Sequence, residues 1–464
     1  MASVPFTADP TFHPSPRLAA QAPPEELAYV VGLHVGDGQP DFLATVDVRP
    51  GSPDYGRIVS RVPVPHVGDE LHHFGWNACS SALCPYAHPQ LERRYLLVPG
   101  LRSSRIYVFD TRPDPRQPRL VKTIDSAEVL RRAGYSRLHT VHCGPDAIYI
   151  SALGSADGDG GGPGGILLLD HDRLEVLGRW EVARGEQYLA YDFAWHLAQD
   201  VLISSEWATP AMVEQGLRLD DVVNRRFGHH LDFWDLRKRR LLQRVDLGDQ
   251  HQMVLELRPA HDPTQTYGFV NTVVNVADLS SAIWVWYRDG DRWAARKVIE
   301  IPAVPTDPAR LPPALQSFGA VPPLVTDIDL SVDDRFLYIS CWGTGELRQY
   351  DVRDPFAPRL AGQVELGGIL HRAAHPNGQP LTGGPQMLEV SRDGRRVYVT
   401  NSLYSTWDDQ FYPEGLRGWL VKLDADPAGG LRVDPSFLVD FGPARAHQVR
   451  LQGGDASSDT YCFP

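Results

Sequence analysis

The segments FLATVD (42–47), RIYVFD (105–110), GILLLD (165–170), LDFWD (231–235), AIWVWYRD (282–289), LRQYD (347–351) and LVKLD (420–424) share one pattern: an apolar run of strand-forming residues closed by an aspartate. The closing residues are Asp47, Asp110, Asp170, Asp235, Asp289, Asp351 and Asp424, spaced by 63, 60, 65, 54, 62 and 73 residues. A second repeat runs in step with the first. SVDDRFLYIS (331–340) and SRDGRRVYVT (391–400) lie 60 residues apart, each a polar turn leading into an alternating strand. A third pairs VFDTRPDPRQPRL (108–120) with QYDVRDPFAPRL (349–360), where a Pro-bearing turn separates two strands.

Self-similarity at a fixed period in strand-rich sequence means stacking or radial repetition. Four short strands and their turns occupy roughly 40–60 residues, the size of one propeller blade. Seven such units predict an all-β fold, a seven-bladed β-propeller forming a single domain over residues 28–464, with residues 1–27 as an N-terminal extension. Two or three β-sandwiches with coincidental spacing are the competing architecture. Helix-type periodicity is confined to Ser126–Arg132 and to a segment within Met212–Asn224. Val182–Asp192, Pro259–Thr266 and Pro302–Pro323 read as inserted loops, and the glycine tract 157–165 as a hairpin tip. That tract lacks the GxxxxGK[ST] pattern of a phosphate-cradling loop and precedes a strand, not a helix.

The length, 464 residues, alone would suggest about three domains. Gly 41 and Pro 39 suit a chain with many turns. The net charge of −13 repels phosphate and anionic lipid, so nucleic acid and membrane surfaces are not expected partners. No apolar run is long enough to span a bilayer as a helix. The sequence carries no secretory leader pattern, which favours a cytoplasmic location, with a periplasmic one as the alternative. The five cysteines are sparse and odd in number, unlike a disulfide scaffold.

Seventeen histidines are present, and several cluster: His72-His73, His139 with His142, His229-His230, and His447 near the end. Imidazole is the commonest ligand for copper, zinc and iron, and every blade of a propeller presents an inner edge to the axis. Distant segments can therefore meet there. Adjacent residues of a strand point to opposite faces, so His72 and His73 can share one metal only where the backbone bends, as Phe74-Gly75 permits. His139 and His142 are likewise of opposite parity. The competing reading is surface histidines bonded to backbone. Asp192, Glu206 and Asp327 sit within apolar strand pattern. Each is either a partner to a ligating histidine, a proton carrier or a hydrogen-bonded clasp between blades. Cys79, beside the first histidine pair, is the best candidate for a functional thiol. No GxSxG motif or dinucleotide-binding βαβ unit occurs.

Several of these stretches resemble the selenium-binding proteins, a family that includes methanethiol oxidases. The matches include VGDELHHFGWNACSS (67–81), LHTVHC (138–143), YDFAWH (191–196), ISSEWATP (203–210), GHHLDFWD (228–235), GGPQMLEVSRDGRRVYVTNSLYSTWDDQFYP (383–413) and AHQVRLQGGDASSD (446–459), in family order. The resemblance implies a seven-bladed propeller and a copper-dependent oxidase. That enzyme converts methanethiol, O2 and water to formaldehyde, hydrogen sulfide and hydrogen peroxide. It implies copper ligands among His72, His73, His139, His142 and His447, with Glu206, Asp192 and Cys79 as catalytic candidates. His230 matches the family's single histidine before its strand, and His229 is a variation. The alternative reading is a non-catalytic propeller that binds selenium or a protein partner. Against selenium, animal members have a cysteine after the tyrosine matched by Tyr55, where this chain has Gly56. A second family cysteine is replaced by Ala456.

Overall fold

The structure, a computed structural model, describes residues 11–13, 16–78, 91–144, 146–156, 160–262, 264–370 and 373–453. Seven four-stranded antiparallel sheets follow one another along the chain. From the inner strand outward, blade 1 is Arg445–Leu451, Leu27–Leu33, Phe42–Asp47 and Ile58–Pro63. Blade 2 is Gly75–Trp76, Tyr95–Pro99, Ile106–Asp110 and Arg119–Ile124, and blade 3 is Tyr135–Cys143, Ile148–Ser155, Gly165–Leu169 and Val176–Arg179. Blade 4 is Phe193–His196, Val201–Ser205, His230–Asp235 and Arg240–Asp246, and blade 5 is His251–Pro259, Tyr267–Asn275, Ser281–Asp289 and Arg292–Ile301. Blade 6 is Val325–Leu330, Phe336–Cys341, Glu346–Asp351 and Arg359–Glu365, and blade 7 is Leu388–Val390, Arg396–Val399, Gly418–Ala425 and Leu431–Gly442. The fold is the seven-bladed β-propeller that the repeats predict.

The ring is closed by pairing its two ends. Arg445–Leu451 runs antiparallel to Leu27–Leu33, with Ala28 opposite Leu451 and Leu33 opposite Arg445. The aspartate-ended runs are all third strands. Asp47, Asp110 and Asp351 each accept the backbone N–H two residues on, at 3.0, 3.0 and 3.2 Å, and Asp170 does the same from residue 172 at 2.9 Å. These are Asx turns, which start the hairpin into the outer strand, so the repeated aspartate is turn chemistry. Ser331 and Ser391 explain the second repeat. Each hydroxyl donates to the aspartate two residues on (2.6 and 2.5 Å) and accepts the N–H of residue 336 or 396 (2.9 and 3.1 Å).

Seven apolar clusters fill the seven blade-to-blade interfaces, one each. Strands such as Leu27–Leu33 and Phe42–Asp47 are buried throughout because both faces pack on neighbouring blades, whereas the outer Ile58–Pro63 has no fully buried residue. Inner strands are joined by polar clasps. Asp327 accepts the Leu388 N–H at 2.6 Å and Asp329 the Val390 N–H at 3.1 Å, joining blades 6 and 7. Asp327 therefore takes the clasp role open to it in the sequence.

An eighth apolar cluster comes from insertions. The helix expected near Ser126 is Ser126–Ala133, ended by Gly134 at φ 65°. The single helix expected within Met212–Asn224 is instead two, Pro210–Val213 and Leu219–Val223, separated where Gly216 takes φ 93°. The segment 302–323 holds short 3-10 helices, Pro308–Arg310 and Pro313–Phe318, and blade 7 contributes the helix Ser405–Phe411. Val213, Val222, Leu315, Trp407 and Phe411 from these insertions pack with Trp207 and Trp342 into a cap.

Candidate metal centre

Three adjacent blades bring histidines to one place. His447 lies on the inner strand of blade 1, His72 and His73 immediately precede the inner strand of blade 2, and His139 lies on that of blade 3. Ring centroids are 3.7 Å apart for His72–His447, 4.0 Å for His73–His139, 4.9 Å for His72–His139 and 5.1 Å for His72–His73. Ligand atoms of His72, His73 and His447 all lie within 4.8 Å of one another.

Local backbone makes this convergence workable. Residues 72–74 belong to no strand, so His72 and His73 escape the alternation of strand faces. Glu70 sits at φ 55°, turning the chain just before them. Gly75 is required by close approach: a Cβ there would stand 2.4 Å from the Val141 carbonyl oxygen of blade 3. In blade 3 the ladder slips between Leu138 and Val141, a bulge that frees His139 from simple parity.

The surroundings orient the rings. His447 Nδ1 lies 2.6 Å from the Ser402 carbonyl oxygen, which can only accept, so Nδ1 carries the proton and Nε2 a lone pair. Thr140 Oγ1 stands between His139 Nδ1 at 3.0 Å and His73 Nδ1 at 3.4 Å. That leaves Nε2 of both rings. His72 Nδ1, His73 Nε2, His139 Nε2 and His447 Nε2 are all buried without a hydrogen-bond partner. Four orphaned imidazole nitrogens in one spot would be costly unless something binds them. Burial, with neighbouring imidazoles, holds His72 and His73 well below the ordinary histidine pKa and takes His139 down to about 3; burial also takes His447 down to about 3. All four are neutral at physiological pH, the state a metal requires.

Aromatic rings enclose the cluster. Tyr191 lies 4.3 Å from His139, Tyr404 6.1 Å from His72, and Trp207 6.4 Å from His139. Trp207 in turn meets Trp407 of the cap at 5.7 Å. Glu70 ties that cap down. Its carboxylate accepts from Ser405 N at 2.8 Å, Ser405 Oγ at 2.6 Å and Arg102 Nε at 3.1 Å. None of Tyr191, Tyr404, Thr140 and Ser402 stands out in the sequence, because their roles depend on contacts between blades.

The other candidates lie elsewhere. His142 Nε2 faces Asp192 Oδ1 at 3.3 Å, and Asp192 Oδ2 accepts the Leu257 N–H at 2.8 Å. Asp192 thus links blades 3, 4 and 5 within a buried charge network that includes Glu256, Arg258 and Asp327. Tyr191 Oη donates to Glu256 at 2.9 Å, which connects that network to the ring lying on His139. Burial and the Asp192 charge raise the Glu256 pKa to about 7. Glu206 pairs with His230 and Arg244, away from the four imidazoles. Cys79 falls outside the described residues, as do Cys84, Cys462 and Ala456. Cys143 and Cys341 are buried and form no disulfide, and Gly56 occupies a turn at φ 72°.

Comparison with known proteins agrees with this architecture. A protein of Xenopus laevis called methanethiol oxidase is 42% identical, with 96% of this chain and 97% of the relative covered. Selenium-binding protein 3 of Arabidopsis thaliana is 39% identical over 96% of each. The crystal structure of a hypothetical selenium-binding protein from Sulfolobus tokodaii superposes with a TM-score of 0.95 at 62% identity, covering 98% of this chain and all of that one. A gluconolactonase of Pseudomonas aeruginosa, at 11% identity and TM-score 0.56, shares the fold alone. The family model described as 56kDa selenium binding protein (SBP56) matches residues 6–462, and the chain belongs to that family.

Proposed function

We propose that this protein is a methanethiol oxidase whose redox centre is copper held by His72, His73, His139 and His447. The observation that carries the reading is the set of four buried, unpartnered imidazole nitrogens, in a family whose relatives bear that enzyme's name. An all-nitrogen donor set suits copper, and oxygen chemistry needs a metal with two accessible oxidation states, which zinc lacks. When bound, copper would supply thiolate activation and electron transfer to O2. The overall reaction balances as methanethiol, O2 and water giving formaldehyde, hydrogen sulfide and hydrogen peroxide.

The chain's own residues supply the rest. The apolar cap with Trp207, Tyr404 and Trp407 offers a small, weakly polar thiol a dry approach and keeps bulk water off the centre. The Ser402 carbonyl holds His447 in the tautomer that presents an Nε2 lone pair, and the Thr140 hydroxyl engages Nδ1 of His139 and His73, leaving their Nε2 atoms to face a metal. Glu256, one hydrogen bond from Tyr191, is a carboxylate poised to take up the proton that the thiol gives off.

Metal analysis of the purified protein beside a His139→Ala, His447→Ala double variant tests the site, and methanethiol-dependent O2 uptake with sulfide and peroxide detection tests the activity. The reading requires copper and all products in the wild type, and a lower copper content with loss of the products in the double variant. Copper content unchanged in the double variant, or copper-loaded protein that releases neither sulfide nor peroxide, overturns it.

A further inference from the structure

His229 and His230 lie outside the imidazole cluster. His230 opens the third strand of blade 4, and its cross-strand partner is Asp246, at the end of the fourth. Residues opposite each other in an antiparallel pair present their side chains to the same face. A ring nitrogen of each histidine and a carboxylate oxygen of Asp246 lie within 4.8 Å of one another. His229 Nε2 is 3.8 Å from Asp246 Oδ1, and the two rings are 4.1 Å apart.

The neighbours set the tautomers. His230 Nδ1 is 3.0 Å from Glu206 Oε2, and Glu206, with only 3% of its side chain exposed, is gripped by Arg244. Arg244 also binds Asp232 at 2.8 Å. His229 Nδ1 faces the Phe227 carbonyl oxygen at 3.4 Å. Carbonyl and carboxylate oxygens only accept, so each neutral ring holds its proton on Nδ1 and keeps a lone pair on Nε2. A carboxylate behind a histidine is the arrangement that orients metal ligands. Charge points the same way. Arg244 serves Glu206 and Asp232, and the Asp246 carboxylate adds negative charge beside the His229 ring, where a cation would sit.

We propose that His229, His230 and Asp246 form a second metal site, on the rim of blade 4, for a borderline divalent cation such as zinc or copper(II). The donor set is two imidazole nitrogens and one carboxylate oxygen, which suits those ions better than calcium or magnesium. Solvent reaches the site, with side-chain exposures of 22%, 21% and 63% for His229, His230 and Asp246, so water completes the coordination. Glu206 is a positioning residue of this site.

The test is zinc stoichiometry by equilibrium dialysis of the full, metal-stripped chain. His229→Ala and Asp246→Asn, both surface changes, are each expected to bind one equivalent fewer than wild type. Glu206→Gln should weaken that equivalent by about 10–100-fold. The His139→Ala, His447→Ala double variant should keep it. Equal stoichiometry in wild type and both rim variants, or loss of every equivalent in the double variant, overturns the proposal. A double variant with wild-type stoichiometry would instead count against a metal at the imidazole cluster, leaving the rim site standing.

Discussion

Arg258→Met tests how the propeller axis tolerates its buried charge. The Arg258 guanidinium reaches Asp192 at 3.5 Å, Glu256 at 3.3 Å, Asp327 at 3.3 Å and Asp329 at 3.6 Å, with 6% of its side chain exposed. Methionine keeps most of the stem's packing and removes the charge, stranding four carboxylates. Deleting one partner of a buried ion pair costs about 3–5 kcal/mol. The cost should depend on pH. Burial already raises Glu256 to about 7 and holds Asp327 well above the usual carboxylate range. A carboxyl raised in the folded state contributes stability below its unfolded pKa, and that contribution is lost as pH rises through the folded value. Arg258 lowers both groups, so its removal pushes them higher still and lets protons replace the missing cation at low pH. Denaturant midpoints measured at pH 5 and pH 8 should therefore show a small loss at pH 5 and the full loss at pH 8. An equal loss at both pH values would refute the charge argument, and a variant as stable as wild type at pH 8 would refute the role of Arg258 altogether.

His139 and His447 are held down to about 3, so protons compete with a bound metal only at very low pH; dialysis at pH 5 followed by metal analysis should show retention. Gly75→Ala places a Cβ 2.4 Å from the Val141 carbonyl oxygen and should shift His72 and His73, costing about 1–3 kcal/mol and lowering metal content in protein that still folds, as read by circular dichroism beside metal analysis. Tyr191→Phe keeps the ring on His139 but removes the hydrogen bond to Glu256; turnover should fall while metal content stays at the wild-type level, and equal turnover would take Tyr191 out of the proton path.

Much of the architecture is legible in the chain because each blade repeats the same local chemistry. Asp47, Asp110 and Asp351 close their turns with hydrogen bonds to residues two positions on, so the signal is local and survives in sequence. The ring closure is not local. Arg445–Leu451 pairs with Leu27–Leu33 across nearly the whole chain, and nothing in either strand marks the other as its partner. Likewise a single helix within Met212–Asn224 is a fair reading of apolar spacing, yet Gly216 divides it where the cap must turn.

The sequence by itself determined the seven strand-and-turn units and the residue types available for a metal, because both depend on composition and short-range pattern. Only the tertiary structure decided which histidines meet. His72, His73, His139 and His447 come from the inner edges of three neighbouring blades and pack together, each with a buried nitrogen that has no hydrogen-bond partner, while His142, three residues from His139, is turned to Asp192. The bulge between Leu138 and Val141 and the strand-free backbone at 72–74 make that difference. Neither can be read from parity along the chain, since each depends on how one blade packs against the next.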